Sequence, residues 1–211
     1  EDDAGLGYLT DPGYQHRYYV DGELRLASLN GEEWLVSGLA GGGRGLFALN
    51  VTKAVAGEDF DEDDVVRWEF GASDDDDMGH VYGSAHIVTL NNGDSAVLVG
   101  NGLETADENA APTLFALELD GVNAGGVIAK LSPSGVTGGL ANLQVADLDS
   151  NGTVDFAYGG DLQGRLWKFD LSDDDSSKWN VTRLFTACAT SLTGGECQTD
   201  ALQPIPVKPT L

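Results

Sequence analysis

The run Asp147-Leu148-Asp149-Ser150-Asn151-Gly152-Thr153-Val154-Asp155 places oxygen-bearing side chains at positions 1, 3, 5 and 9 of one short loop. A hard cation the size of Ca²⁺ takes six to eight oxygens at about 2.3–2.6 Å, and alternate side chains of a curled loop deliver them. Gly152 stands at position 6, where the backbone must turn sharply, so that the carbonyl of Thr153 at position 7 can face inward as a further ligand. The candidate ligands are therefore Asp147, Asp149, Asn151, Thr153 and Asp155, and the implied cofactor is Ca²⁺. Position 12 is Tyr158, where an EF-hand would carry a bidentate Glu. The flanks, Leu143 to Ala146 and Phe156 to Gly159, read as strands instead of helices. The pattern predicts a calcium clip on a β-hairpin, with Asp155 standing in for the absent position-12 Glu. Asx-turns alone would also place Asp and Asn in such a loop, but four ligand positions and the glycine together favour the ion.

Little else in the chain has the spacing of chemistry. The acidic runs Asp74 to Asp77, Glu58 to Asp64 and Asp173 to Asp175 lack the spaced glycine and the alternation of ligands, and read as solvated loop tips. No catalytic Ser/His/Asp set, carboxylate pair or phosphate-binding glycine loop can be assembled, and His16, His80 and His86 stand isolated. The expectation is a protein that is not an enzyme. The net charge of −24, from 35 acidic against 11 basic residues, repels phosphate backbones and anionic membranes. Nucleic acid is thus a poor partner. No apolar run approaches the ~20 residues that span a bilayer, and the start carries no signal-peptide pattern, so the chain is expected to be mature or part of something longer. Cys188 and Cys197 flank a Thr/Ser/Gly-rich stretch suited to a local disulfide, which implies an oxidising compartment.

Three segments overlay on one another and predict the elements that hold the loop. The first runs Leu24 to Leu29, a turn at Asn30-Gly31, Trp34 to Gly38, Gly45 to Leu49 and Val65 to Phe70. The second runs His86 to Leu90, a turn at Asn92-Gly93, Ala96 to Gly100, Leu114 to Leu119 and Gly126 to Leu131. The third runs Leu143 to Leu148, the acidic loop, Phe156 to Gly159, Leu166 to Leu171 and Trp179 to Phe185. Leu29, Leu90 and Leu148 lie 61 and 58 residues apart. Four short strands per unit at that period predict an all-β fold, a partial β-propeller of about three four-stranded antiparallel blades with the calcium loop in the third. The two Asn-Gly pairs predict type I′ hairpin turns.

The blades are placed at about 19–71, 81–133 and 140–186, with 187–211 as a disulfide loop and the lead-in to a further blade. Three blades do not close a circle, so the remaining blades are an expected partner, in the same or another chain. The first and last blades are expected to leave apolar residues such as Phe47, Leu49, Trp167 and Phe169 uncovered.

Taken in order, His16 to Gly22 (HRYYVDG), Gly41 to Thr52 (GGGRGLFALNVT), Leu90 to Gly93 with Gly100-Asn101-Gly102, and Gly160 to Ser172 (GDLQGRLWKFDLS) resemble the C-terminal β-propeller of type IV pilus tip adhesins of the PilY class. The resemblance implies an exported protein at the pilus tip or cell surface that binds Ca²⁺ through this loop. It further implies a coupling of calcium occupancy to pilus extension, retraction and surface attachment. Minor pilins or other tip components, and a host or abiotic surface ligand, would be partners. Two other functions fit the same scaffold. Quinoprotein dehydrogenase blades share the glycine-aromatic repeats, but bind their ion with the quinone at the propeller centre, whereas these ligands are consecutive in one outer hairpin. A structural surface-filament subunit would use calcium only for stability.

Overall fold

The computed structural model describes residues 9–189, 197 and 201–210. Among these residues, twelve strands form three four-stranded antiparallel sheets, each a simple meander in chain order. The first comprises β1 (Arg25–Leu29), β2 (Glu32–Gly38), β3 (Gly45–Asn50) and β4 (Val66–Gly71). The second comprises β5 (His86–Thr89), β6 (Ser95–Gly100), β7 (Leu114–Glu118) and β8 (Val127–Leu131). The third comprises β9 (Leu140–Ala146), β10 (Phe156–Asp161), β11 (Arg165–Asp170) and β12 (Asn180–Thr186). Two short helices, α1 (Thr52–Ala56) and α2 (Glu62–Val65), interrupt the first unit between β3 and β4. The partial propeller expected from the 60-residue period is the architecture found.

The two Asn-Gly pairs make different turns. Asn30 and Gly31 both have positive φ, 54° and 83°, and join Leu29 to Glu32 directly, as a two-residue type I′ loop requires. At the second pair only Gly93 is left-handed, with φ 90°. Leu90 N–H bonds Asp94 O and Gly93 N–H bonds Leu90 O, so the loop has three residues and Asn91 joins it. That extra residue frees the Asn91 side chain for a contact with the third sheet.

Burial divides the sheets by position. In β6 and β7 both faces are apolar and covered, so Ala96 to Gly100 and Leu114 to Leu117 are buried without alternation. Val97, Val99, Phe115 and Leu117 pack against Trp34, Val36, Leu46 and Phe70 of the first sheet. Leu98, Leu114 and Ala116 pack against Leu143, Ala157, Trp167 and Phe169 of the third. Each large side chain withdrawn this way stabilises the fold by roughly 1.5–3 kcal/mol.

Trp167 and Phe169 are therefore core residues, 4% and 0% exposed, not part of an uncovered face. The period-2 pattern marks which residues share a face, but not which face meets a neighbour. Phe47 and Leu49 are half-buried on the other side of the first sheet, where Leu49 sits in register with Leu35 and Val66, and Leu35 with the exposed Leu26.

The sheets meet at glycines. A Cβ on Gly38 would lie 2.4 Å from Val81 O, and one on Gly100 2.5 Å from Leu140 O, each the backbone leading into the next sheet. A Cβ on Gly160, at the matching place in β10, would lie 2.3 Å from Ile205 O, and Ile205 N–H bonds Asp161 O. Strands also approach across sheets, β1 against β5 and β9 against β6. The β9–β10 hairpin carries the acidic loop.

Candidate metal centre

The loop from Asp147 to Asp155 replaces the short turns of the first two units and is built by its own backbone. Ser150 and Gly152 take left-handed φ of 60° and 90°, which curls the chain around the carboxylates. Asp147 accepts from Gly152 N–H at 2.8 Å and Asn151 N–H at 3.2 Å, and Asp149 also accepts from Asn151 N–H at 3.2 Å. Asp155 reaches back from the start of the second arm to accept Leu148 N–H at 2.8 Å. One carboxylate oxygen from each of Asp147, Asp149 and Asp155 lies within 4.8 Å of the others.

That spacing fits a hard cation. Oxygens on a sphere of radius about 2.3–2.6 Å are at most about 5 Å apart, and a set made wholly of carboxylates suits calcium better than a softer metal. Among the described residues, this is the only group of three or more acidic, His or Cys side chains so disposed. Asp147 and Asp149 are exposed, whereas Asp155 is only 9% exposed. Hydrogen bonds from the Gly152 backbone first, and from Asn151 and Ser150, hold the Asp147 carboxyl below the usual carboxylate range. Asp147 is therefore ionised, and available to a cation, at neutral pH.

The side chains of the other two candidate ligands, Asn151 and Thr153, make hydrogen bonds within and beyond the loop. Asn151 Oδ1 accepts Thr153 N–H at 2.7 Å, closing an Asx-turn, and the Thr153 hydroxyl donates both to that oxygen and to Asn91 Oδ1. The three Asp residues converge, and Asn151 and Thr153 shape the turn.

Sequence reasoning missed Asn91. It lies in the β5–β6 turn of the second sheet, 62 residues from Thr153, and its Nδ2 donates to Val154 O at 2.8 Å and Leu171 O at 3.1 Å. Val154 N–H in turn bonds Thr89 O at 3.0 Å. Only its place after the turn leucine Leu90 could have marked it, since Asn30 follows Leu29 and likewise donates across sheets, to Ser95 Oγ at 3.0 Å. Asp161 was missed too. Fully buried, it accepts from Gln163 N–H, Arg165 N–H and Trp167 Nε1, and pairs with the Arg165 guanidinium at 2.9 Å. It anchors the Gly160 to Gly164 turn that follows the loop.

The remaining acidic runs are engaged otherwise. Asp75 and Asp77 hold Lys130 at 2.8 and 2.9 Å. Asp173 holds Lys178 at 2.9 Å, while Asp61 and Asp64 cap α2 and Asp64 pairs with Lys53. His80 Nδ1 lies 2.6 Å from Ala40 O and His86 Nε2 3.0 Å from Leu143 O, each a link between sheets. Cys188 and Cys197 are disulfide-bonded, with Cα atoms 5.7 Å apart. No helix among the described residues is long and apolar enough to cross a membrane.

Comparison with known proteins gives a consistent result. A family model described as the PilY1 beta-propeller domain matches residues 4–202. A type IV pilus biogenesis factor PilY1 homolog of Xylella fastidiosa is 42% identical over 193 residues, covering 83% of this chain and 12% of the relative. The type IV pilus biogenesis factor PilY1 of Pseudomonas aeruginosa is 38% identical over 191 residues, covering 83% of this chain and 15% of the relative. The chain thus spans between a tenth and a sixth of the curated relatives it matches. The crystal structure of the Pseudomonas aeruginosa PilY1 C-terminal domain superposes with a TM-score of 0.68 at 30% identity, covering 91% of this chain and 41% of that one. With three sheets in meander order, the matching family model and these relatives, the chain belongs to the PilY1 β-propeller domain family.

Proposed function

We propose that this chain is a calcium-binding module of a type IV pilus tip or surface adhesin, acting in pilus biogenesis, in calcium-regulated extension and retraction, and in surface attachment. The observation that carries this reading is the convergence of Asp147, Asp149 and Asp155 in a loop bonded to the neighbouring sheet. Negative charge gathered on three neighbouring carboxylates is self-repelling, and a bound cation turns that repulsion into cohesion between β9 and β10. Asn151 and the Thr153 carbonyl complete the proposed ligand set. The role is binding, not catalysis, at the cell surface or pilus tip after passage through the periplasm. Minor pilins or other tip components, and a host or abiotic surface, are the partners. Residues 187–211 are read as a disulfide loop and the lead-in to a further blade, because Ile205 meets Gly160 as Leu140 meets Gly100.

Two measurements test the proposal together. Isothermal titration of the chain with Ca²⁺ should show one saturable site that Asp147→Ala combined with Asp149→Ala abolishes. The same pair of substitutions in the full-length protein of the source strain should alter twitching motility and attachment as calcium is varied. Absence of heat in the wild type would remove the metal reading. Binding without any calcium-dependent change in motility or attachment would leave calcium a stabilising role only.

A further inference from the structure

We infer that Asn91, a residue of the second sheet, is a positioning residue for the cation loop of the third, and that it couples calcium occupancy to the docking of the two sheets. The inference rests on the calcium reading proposed above.

The loop has two halves with different supports. The first, through Gly152, is held by the carboxylates of Asp147 and Asp149 acting on the loop's own amides. The second is held from within, by the bonds of Thr153 N–H to Asn151 Oδ1, of Asp155 N–H to Ala146 O and of Leu148 N–H to the Asp155 carboxylate, and also from outside. Asn91 uses its whole amide group there: Oδ1 accepts the Thr153 hydroxyl at 2.7 Å, and Nδ2 donates to Val154 O at 2.8 Å and Leu171 O at 3.1 Å. These contacts bracket Asp155, since Val154 precedes it and Leu171 N–H bonds Asp155 O at 2.8 Å. Asp155 is the carboxylate that must be brought across the hairpin to meet Asp147 and Asp149. Before a cation arrives, repulsion among the three carboxylates favours loop conformations in which Asp155 stays apart. A tether from the neighbouring sheet raises the population of the converged form, and apparent affinity scales with that population.

Linkage makes the effect reciprocal. If docking of Asn91 strengthens calcium binding, calcium must strengthen the docking by the same factor. The geometry supplies a comparison within the same molecule. Asn30 occupies the matching turn of the first sheet and makes one cross-sheet bond, to Ser95 Oγ at 3.0 Å, but reaches no acidic loop. Asn30 serves packing between sheets alone.

The test uses the full chain in three forms, wild type, Asn91→Ala and Asn30→Ala. Calcium affinity is measured by isothermal titration, and amide hydrogen exchange with and without Ca²⁺. Asn91→Ala should weaken calcium binding about tenfold, the usual scale of coupling between sites. Asn30→Ala should leave the affinity unchanged. In wild type, calcium should slow exchange at Gly93 and Asp94, which lie in the second sheet and carry no ligand, and at Val154. Wild-type affinity in Asn91→Ala, or exchange at 93–94 that ignores calcium, overturns the inference and leaves the calcium reading standing. Absence of calcium binding in wild type overturns both. If Asn91→Ala fails to fold, the wild-type exchange measurement alone decides.

Discussion

Substitution of Asp155 by Ala should abolish most of the thermal stabilisation that calcium confers, while changing the calcium-free protein little. Asp155 is the least exposed of the three convergent carboxylates, so solvent screens its attraction for a cation least. In the calcium-free state its loss removes one acceptor, that of Leu148 N–H, and Leu148 is 67% exposed, so water can replace the bond. Two carboxylates in place of three also repel less. These effects oppose each other, and the melting temperatures in chelator should agree within a few degrees.

In calcium the two proteins part. At free Ca²⁺ about 1,000 times the dissociation constant, mass action adds about 4 kcal/mol to the wild type. For a chain of this length that raises the melting temperature by about 8–16 °C. Loss of a residue that merely orients a metal ligand costs about 10- to 100-fold in affinity, so loss of a ligand should reach at least the upper figure. A hundredfold weaker site retains only about 1.4 kcal/mol, a rise of about 3–6 °C. Scanning calorimetry of both proteins in chelator and in millimolar Ca²⁺ measures the four values. Equal calcium-dependent rises would show that Asp155 is not a ligand. A variant already melted in chelator would show that its role is structural.

Three further outcomes are expected. Burial, reinforced by the positive charges of Arg25 and Lys208, holds the His86 imidazole below its ordinary value, against the pull of the Leu143 carbonyl and of Glu23. The neutral form belongs to the folded state, so its stabilisation is full above pH about 6.5 and lost as pH falls toward the lower folded value. His86→Gln should flatten the acid limb of a stability–pH curve, and an unchanged slope would refute the assignment. Asp161→Ala leaves the buried Arg165 guanidinium and Trp167 Nε1 without their partner and should cost about 3–5 kcal/mol in urea denaturation; a loss under about 1 kcal/mol would count against the network. Replacing Cys188 and Cys197 by Ser releases a loop of nine residues' separation and should cost about 2–3 kcal/mol, read from the same denaturation experiment.

The sequence by itself determined the sheets and the acidic loop, because both are encoded locally. A strand pair needs alternating side chains and a turn that the chain can make. Leu24 to Leu29, Asn30-Gly31 and Trp34 to Gly38 supply these within fifteen residues, and the pattern recurs about every 60. The loop's oxygens are spaced within nine residues, and the left-handed turns at Ser150 and Gly152 curl them toward one another.

What tertiary structure decided were the contacts between units. Trp167 and Phe169 alternate with polar residues whichever side their sheet turns, and only the packing of the third sheet on the second put them in the core. Asp161 reads as one more turn residue in Gly160 to Gly164, until the fold removes water from it and leaves Arg165 and Trp167 as its partners. Asn91 reads as half of a tight turn, yet a three-residue loop turns its amide toward a hairpin 62 residues away. Hydrogen bonds of that reach depend on the angle and register between two sheets, which no local spacing of residues records.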